Sequence, residues 1–87
     1  MAKLGLDPGA MGKLSSQMRA EAGKIGSASG KLDGTLRSTW WEGKDANSFK
    51  GEWEAHRKAL KQVEQSLSEA AKRIDKNVQQ QHQASGA

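Results

Sequence analysis

From Ala46 the chain marks one helical face with steps of three and four: Ala46, Phe49, Trp53, His56, Leu60, Val63, Leu67, Ala70, Ile74 and, after a further four, Val78. His56 is the one polar member. Residues so spaced lie along one side of an α-helix, and a beat held over this many turns marks a helix packed lengthwise against other helices. It excludes strands, whose side chains alternate with a period of two. The pattern predicts a helix over about residues 45 to 80, on the order of 50 Å long. Lys, Arg, Glu and Gln fill the outer positions, and Glu54–Lys58 and Glu69–Arg73 have the spacing of supporting ion pairs.

The first half carries a seven-residue beat of its own: Met11, Met18, Ile25 and Leu32, widened by Leu14, Ala22, Ala28 and Leu36. Trp40 falls one turn beyond Leu36 and is expected to extend the stripe. Asp7-Pro8 is a start signal, because Asp can cap free amides and Pro at the first helical position forfeits no hydrogen bond. The expected helix runs from about 8 to 40, preceded by a loose lead over residues 1 to 6. A second stripe, Gly12, Ser16, Ala20, Gly23, Ser27, Gly30 and Gly34, lies away from the apolar one. Each interior glycine costs about 1 kcal/mol relative to alanine, so this helix is expected to owe its order to packing. The stripe is open to two readings: close approach of a partner helix, or a solvated face of small residues.

All the aromatics of the chain, Trp40, Trp41, Phe49 and Trp53, cluster where the two patterns meet. Gly43 reads as a break over residues 41–44, and Asp45 as the cap of the second helix. The expected fold class is therefore all-α, an antiparallel two-helix hairpin over residues 1–87, with a flexible polar tail over 81–87. Trp40, Ala46, Phe49 and Trp53 are expected to pack near the bend. Trp41 can fold over the turn or stand out as an anchor for a partner.

Eighty-seven residues allow a single domain. Two helices alone bury little surface, so a second molecule is expected to complete the core. The hairpin or dimer seam would be made by Met11, Leu14, Met18, Ile25, Leu32, Leu36, Leu60, Val63, Leu67 and Ile74.

Chemistry has little foothold. A general base or nucleophile needs a dry pocket and a partner, and no His-x-x-x-His pair, phosphate loop or cysteine is present. No enzyme activity, cofactor or metal is expected. His56 on the seam invites two readings, a pH switch or a polar residue that sets register; the second is the plainer. The net charge is +4. The basic groups Arg57-Lys58, Lys61, Lys72-Arg73 and Lys76 could meet nucleic acid or an anionic membrane, but Glu54, Glu64, Glu69 and Asp75 dilute them. No apolar run approaches a membrane span, and the first residues lack the apolar core of a cleavable signal.

Trp41-Glu42-Gly43 between two helical halves, with Ala46, Phe49 and Trp53 following, resembles the WXG-motif family of small helical-hairpin type VII (ESX-type) secretion substrates. The resemblance extends to about residue 80. It implies an elongated four-helix bundle, formed as a homodimer or as a heterodimer with a sister WXG-type protein. It also implies a secreted protein, exported folded by a type VII secretion ATPase without a cleavable signal peptide and acting as effector or chaperone-like partner. Trp41 and Gly43 would be its secretion and bend motif. Many members carry a C-terminal Tyr-x-x-x-Asp/Glu signal; this chain has no tyrosine and no acidic residue after Asp75, so either the partner supplies the signal, or a looser signal is used, or this chain is not itself the recognised subunit. The alternatives are an intracellular basic helical module that binds nucleic acid and a membrane-active amphipathic protein.

Overall fold

A computed structural model describes residues 5 to 84. Helix α1 spans Pro8–Ser38 and helix α2 spans Lys44–Ala84. They lie against each other as a hairpin 66 Å long and 18 by 16 Å across. The chain forms the all-α helical hairpin expected from its two stripes.

The α1 start follows from its sequence. Asp7 has extended backbone angles, and its Oδ1 accepts from the amides of Gly9 at 2.9 Å and Ala10 at 3.3 Å. These are two of the amides that a helix start leaves without intrahelical partners. Pro8 occupies the first turn, where its missing N–H costs nothing.

The α1 end comes earlier than expected. Thr39 turns extended (φ −87°, ψ 126°), its amide donates to the Leu36 carbonyl at 3.2 Å and its hydroxyl to the Thr35 carbonyl at 2.6 Å. The helix therefore stops at Ser38, before Trp40, and the chain reverses over residues 39 to 43. Gly43 has φ +111°, a value that L side chains rarely adopt. Its carbonyl accepts the Asn47 amide at 3.0 Å and so begins α2. Asp45 lies in the first turn of α2, where its charge suits the helix dipole, and is not the cap that the sequence suggested.

At its other end α2 continues to Ala84, past the expected stop near 80, so residues 81 to 84 are helical. The rest of the expected tail, residues 85–87, and most of the expected lead, residues 1–4, lie outside the described residues.

The helices meet through small side chains. On α1 the buried residues are Ser15, Ala22 and Ser29, seven apart; on α2 they are Ala46 and Ala71, both fully enclosed. Small residues let backbones approach closely, at the cost of little apolar area removed from water. Among the described residues no large side chain is fully buried. The accessible surface is 6920 Å², against roughly 5,000 Å² for a compact protein of this mass.

Candidate functional site

Polar contacts define one long edge of the hairpin. Near the bend, the Asp33 carboxylate accepts from Arg37 Nε at 2.8 Å and Trp53 Nε1 at 3.1 Å, and lies 3.5 Å from Arg57 Nη1. The hydrogen bond from Arg37, then that from Trp53, holds its carboxyl below the ordinary 3.8. Toward the open end, Arg19 Nη2 donates to Asp75 Oδ2 at 2.6 Å, which lowers the Asp75 carboxyl in the same way. Between them the Glu64 carboxylate lies over Gly26, 2.6 Å from where a Cβ would stand. Arg57 also approaches Glu54 at 3.6 Å, while its Nε is enclosed without a hydrogen-bond partner.

Those contacts fix the rotation of both helices. The flank of α2 carrying Arg57, Glu64, Ala71 and Val78 turns to α1. Leu60, Leu67 and Ile74 form the ridge beside it and are half-buried. One helical step further round, Phe49 is 43% exposed, Val63 is 45% exposed and His56 is also exposed. On α1, Arg19, Gly26 and Asp33 occupy the polar edge. Met11, Met18, Ile25 and Leu32 therefore lie on the opposite edge; the first three are half-buried and Leu32 is 57% exposed, with Leu14 also exposed. The hairpin thus has a polar edge closed by ion pairs and an apolar edge left open, with Leu36 half-buried near the bend.

The bend residues divide. Trp41 folds onto Phe49, with ring centroids 5.3 Å apart and planes tilted by 45°, and Lys50 Nζ reaches the Trp41 carbonyl at 3.4 Å. Ala46 is enclosed, and Trp53 is half-buried through its bond to Asp33. Trp40 does not extend the core stripe. It is 86% exposed, with its indole N–H donating to Glu42 Oε1 at 3.1 Å. The reason is the early helix end: with Ser38 the last helical residue, a step of four past Leu36 no longer lands on the same face.

No protein-family model, curated protein or solved structure matches the chain. Among the described residues no group of three or more His, Asp or Glu could hold a metal ion, and no helix is long and apolar enough to cross a membrane. Shallow open grooves run along the polar edge, one lined by Arg19, Gly23, Lys61, Glu64 and Lys72, where opposite charges stand side by side.

Several side chains that set how the helices pack carry little signal in the sequence. Ser15 and Ser29, between Met11, Met18, Ile25 and Leu32, complete a three-four alternation on α1 that a search for large apolar residues passes over. Asp33 and the Arg19–Asp75 pair join positions far apart in sequence, and no local signal marks them. The expected helix-surface pairs also differ. Glu54 meets Arg57 and not Lys58, and Glu69 forms no ion pair with Arg73.

Proposed function

We propose that this chain is a non-enzymatic helical-hairpin protein that works by binding, exported folded through a type VII secretion machine as part of a dimer. The observation that carries the reading is the open apolar edge: Leu14, Leu32, Phe49 and Val63 stay exposed and no large side chain among the described residues is fully buried. A second hairpin laid along that edge would supply the missing half of a four-helix core. The Trp41-Glu42-Gly43 turn, with Trp41 packed on Phe49, supports the resemblance to WXG-type substrates and offers the machine a compact end to recognise. The protein then acts outside the cell as an effector, or as a chaperone-like partner of a larger substrate.

The test is export. The protein is expected in culture supernatant of cells with an active secretion ATPase, and is expected to stay in the pellet when that ATPase is inactivated. Appearance in the supernatant independent of the ATPase would overturn the reading. Strongly salt-dependent binding to nucleic acid by the purified chain would favour a basic intracellular module instead.

A further inference from the structure

We infer that α1 is a detachable strap: its stretch from Pro8 to Gly30 peels from α2 as one unit while the bend end of the hairpin stays closed. The inference concerns the hairpin itself and does not rest on the export or dimer reading.

Helix composition sets one half of the asymmetry. α1 holds six glycines in 31 residues, and α2 holds one in 41. Each interior glycine shifts the helix equilibrium roughly fivefold toward the unfolded strand relative to alanine. Gly12, Gly23, Gly26 and Gly30 all lie inside α1 ahead of Asp33. α2 is rich in Leu, Ala, Glu, Lys and Gln, which form helices readily, and is far longer than the helices that are marginal in water. So α1 owes its order to what it touches, and α2 much less so.

What α1 touches differs along its length. At the bend end the Asp33 side chain is only 14% exposed; it accepts from Trp53 and pairs with Arg57, both on α2. Close by, Ala46 is fully enclosed and Trp41 lies on Phe49. Along the rest of α1 the enclosed residues are Ser15, Ala22 and Ser29, whose side chains remove little apolar area from water. The Arg19–Asp75 pair there is close to half exposed on both sides. An ion pair so open to solvent holds weakly and is screened by salt. Gly30 and Gly34 flank Asp33, so the helix is weakest where the loose part meets the clamped part.

Peeling bares the face of α2 that α1 covers: half-buried Leu60, Leu67, Ile74 and Val78 and enclosed Ala71. With the bend clamped, α1 stays beside its seat and closes again readily. The strap is thus a reversible cover over the α2 seam, drawn from the least stable part of the fold.

Amide hydrogen exchange on the full-length chain tests this. Amides from Lys13 to Ser29 are expected to share one protection factor, roughly tenfold or more below those of Phe49 to Arg57 and of Leu60 to Ile74. High salt is expected to lower α1 protection several-fold and to leave Phe49 to Arg57 unchanged. Arg19→Ala is expected to do the same at low salt, and Gly23→Ala combined with Gly30→Ala to raise α1 protection. One common protection factor for both helices, or earliest exchange at the bend end, overturns the inference. So does an Arg19→Ala effect equal at both ends.

Thiol labelling gives a second readout, since the chain has no cysteine. Ala46 and Ala71 are both fully enclosed, one near the bend and one under the strap. A maleimide is expected to label Ala71→Cys roughly tenfold faster than Ala46→Cys. Equal rates, or faster labelling of Ala46→Cys, overturn the inference.

Discussion

Trp53 and Asp33 are joined across the hairpin, indole N–H to carboxylate, at 3.1 Å. They lie near the bend, where the last turns of α1 meet the early turns of α2. The same carboxylate holds Arg37 and Arg57, so one acidic side chain anchors two arginines and a tryptophan. Removing it leaves a half-buried indole N–H without its acceptor and Arg37 without its ion-pair partner, while Arg57 keeps only its longer approach to Glu54.

Asp33→Asn is accordingly expected to lower the melting temperature, and Asp33→Leu to lower it further. Circular dichroism with temperature measures both. Trp53 fluorescence, read in a background lacking Trp40 and Trp41, is expected to shift toward that of a solvated indole.

Acid is expected to act in the same direction. The Asp33 and Asp75 carboxyls are held below their ordinary 3.8 in the folded chain, by Arg37 foremost and by Arg19 respectively. A folded value below the unfolded one means that the stabilisation is fully present above the unfolded value, near about 4. It is lost as pH falls through the folded values. Melting curves from neutral pH downward are expected to hold level until about pH 5 and then decline, with a smaller decline in Asp33→Asn.

The turn gives a sharper test. Gly43 has φ +111° with nothing within 4 Å of a built Cβ, so Gly43→Ala meets backbone strain and no clash. It is expected to cost about 1–3 kcal/mol in chemical denaturation. The glycines inside α1 behave oppositely. Gly12, Gly23 and Gly30 also have nothing near a built Cβ but are helical, so alanine at each is expected to stabilise by about 0.5–1 kcal/mol. At Gly26, alanine must first displace the Glu64 carboxylate, and a smaller gain is expected.

The helix interface is intolerant of size. Ala22 is 6% exposed against α2. Ala22→Leu is expected to force the helices apart and destabilise the hairpin by about 1–3 kcal/mol, whereas Ala28→Leu, on an exposed position, is expected to be nearly neutral. Val63→Glu tests the dimer proposed above. It is expected to leave the helical signal of the hairpin intact and to abolish dimer formation in light scattering.

Much of the architecture was legible in the residues alone. The Asp7-Pro8 start, the long three-four beat of α2 and the glycine of the turn each act over a few neighbours, and local backbone physics fixes them. The helical repeat also dictates which side chains share a face. What it leaves open is which flank of a wide stripe meets the neighbouring helix. That choice depends on how closely the two backbones approach and how each helix is rotated. Ser15, Ala22 and Ser29 decide the first by being small, and Arg19–Asp75, Asp33–Trp53 and Asp33–Arg57 decide the second by tying distant positions together. Trp40 shows the same division: its spacing put it on the core face, but Thr39 ended the helix just short of it and left the ring in solvent.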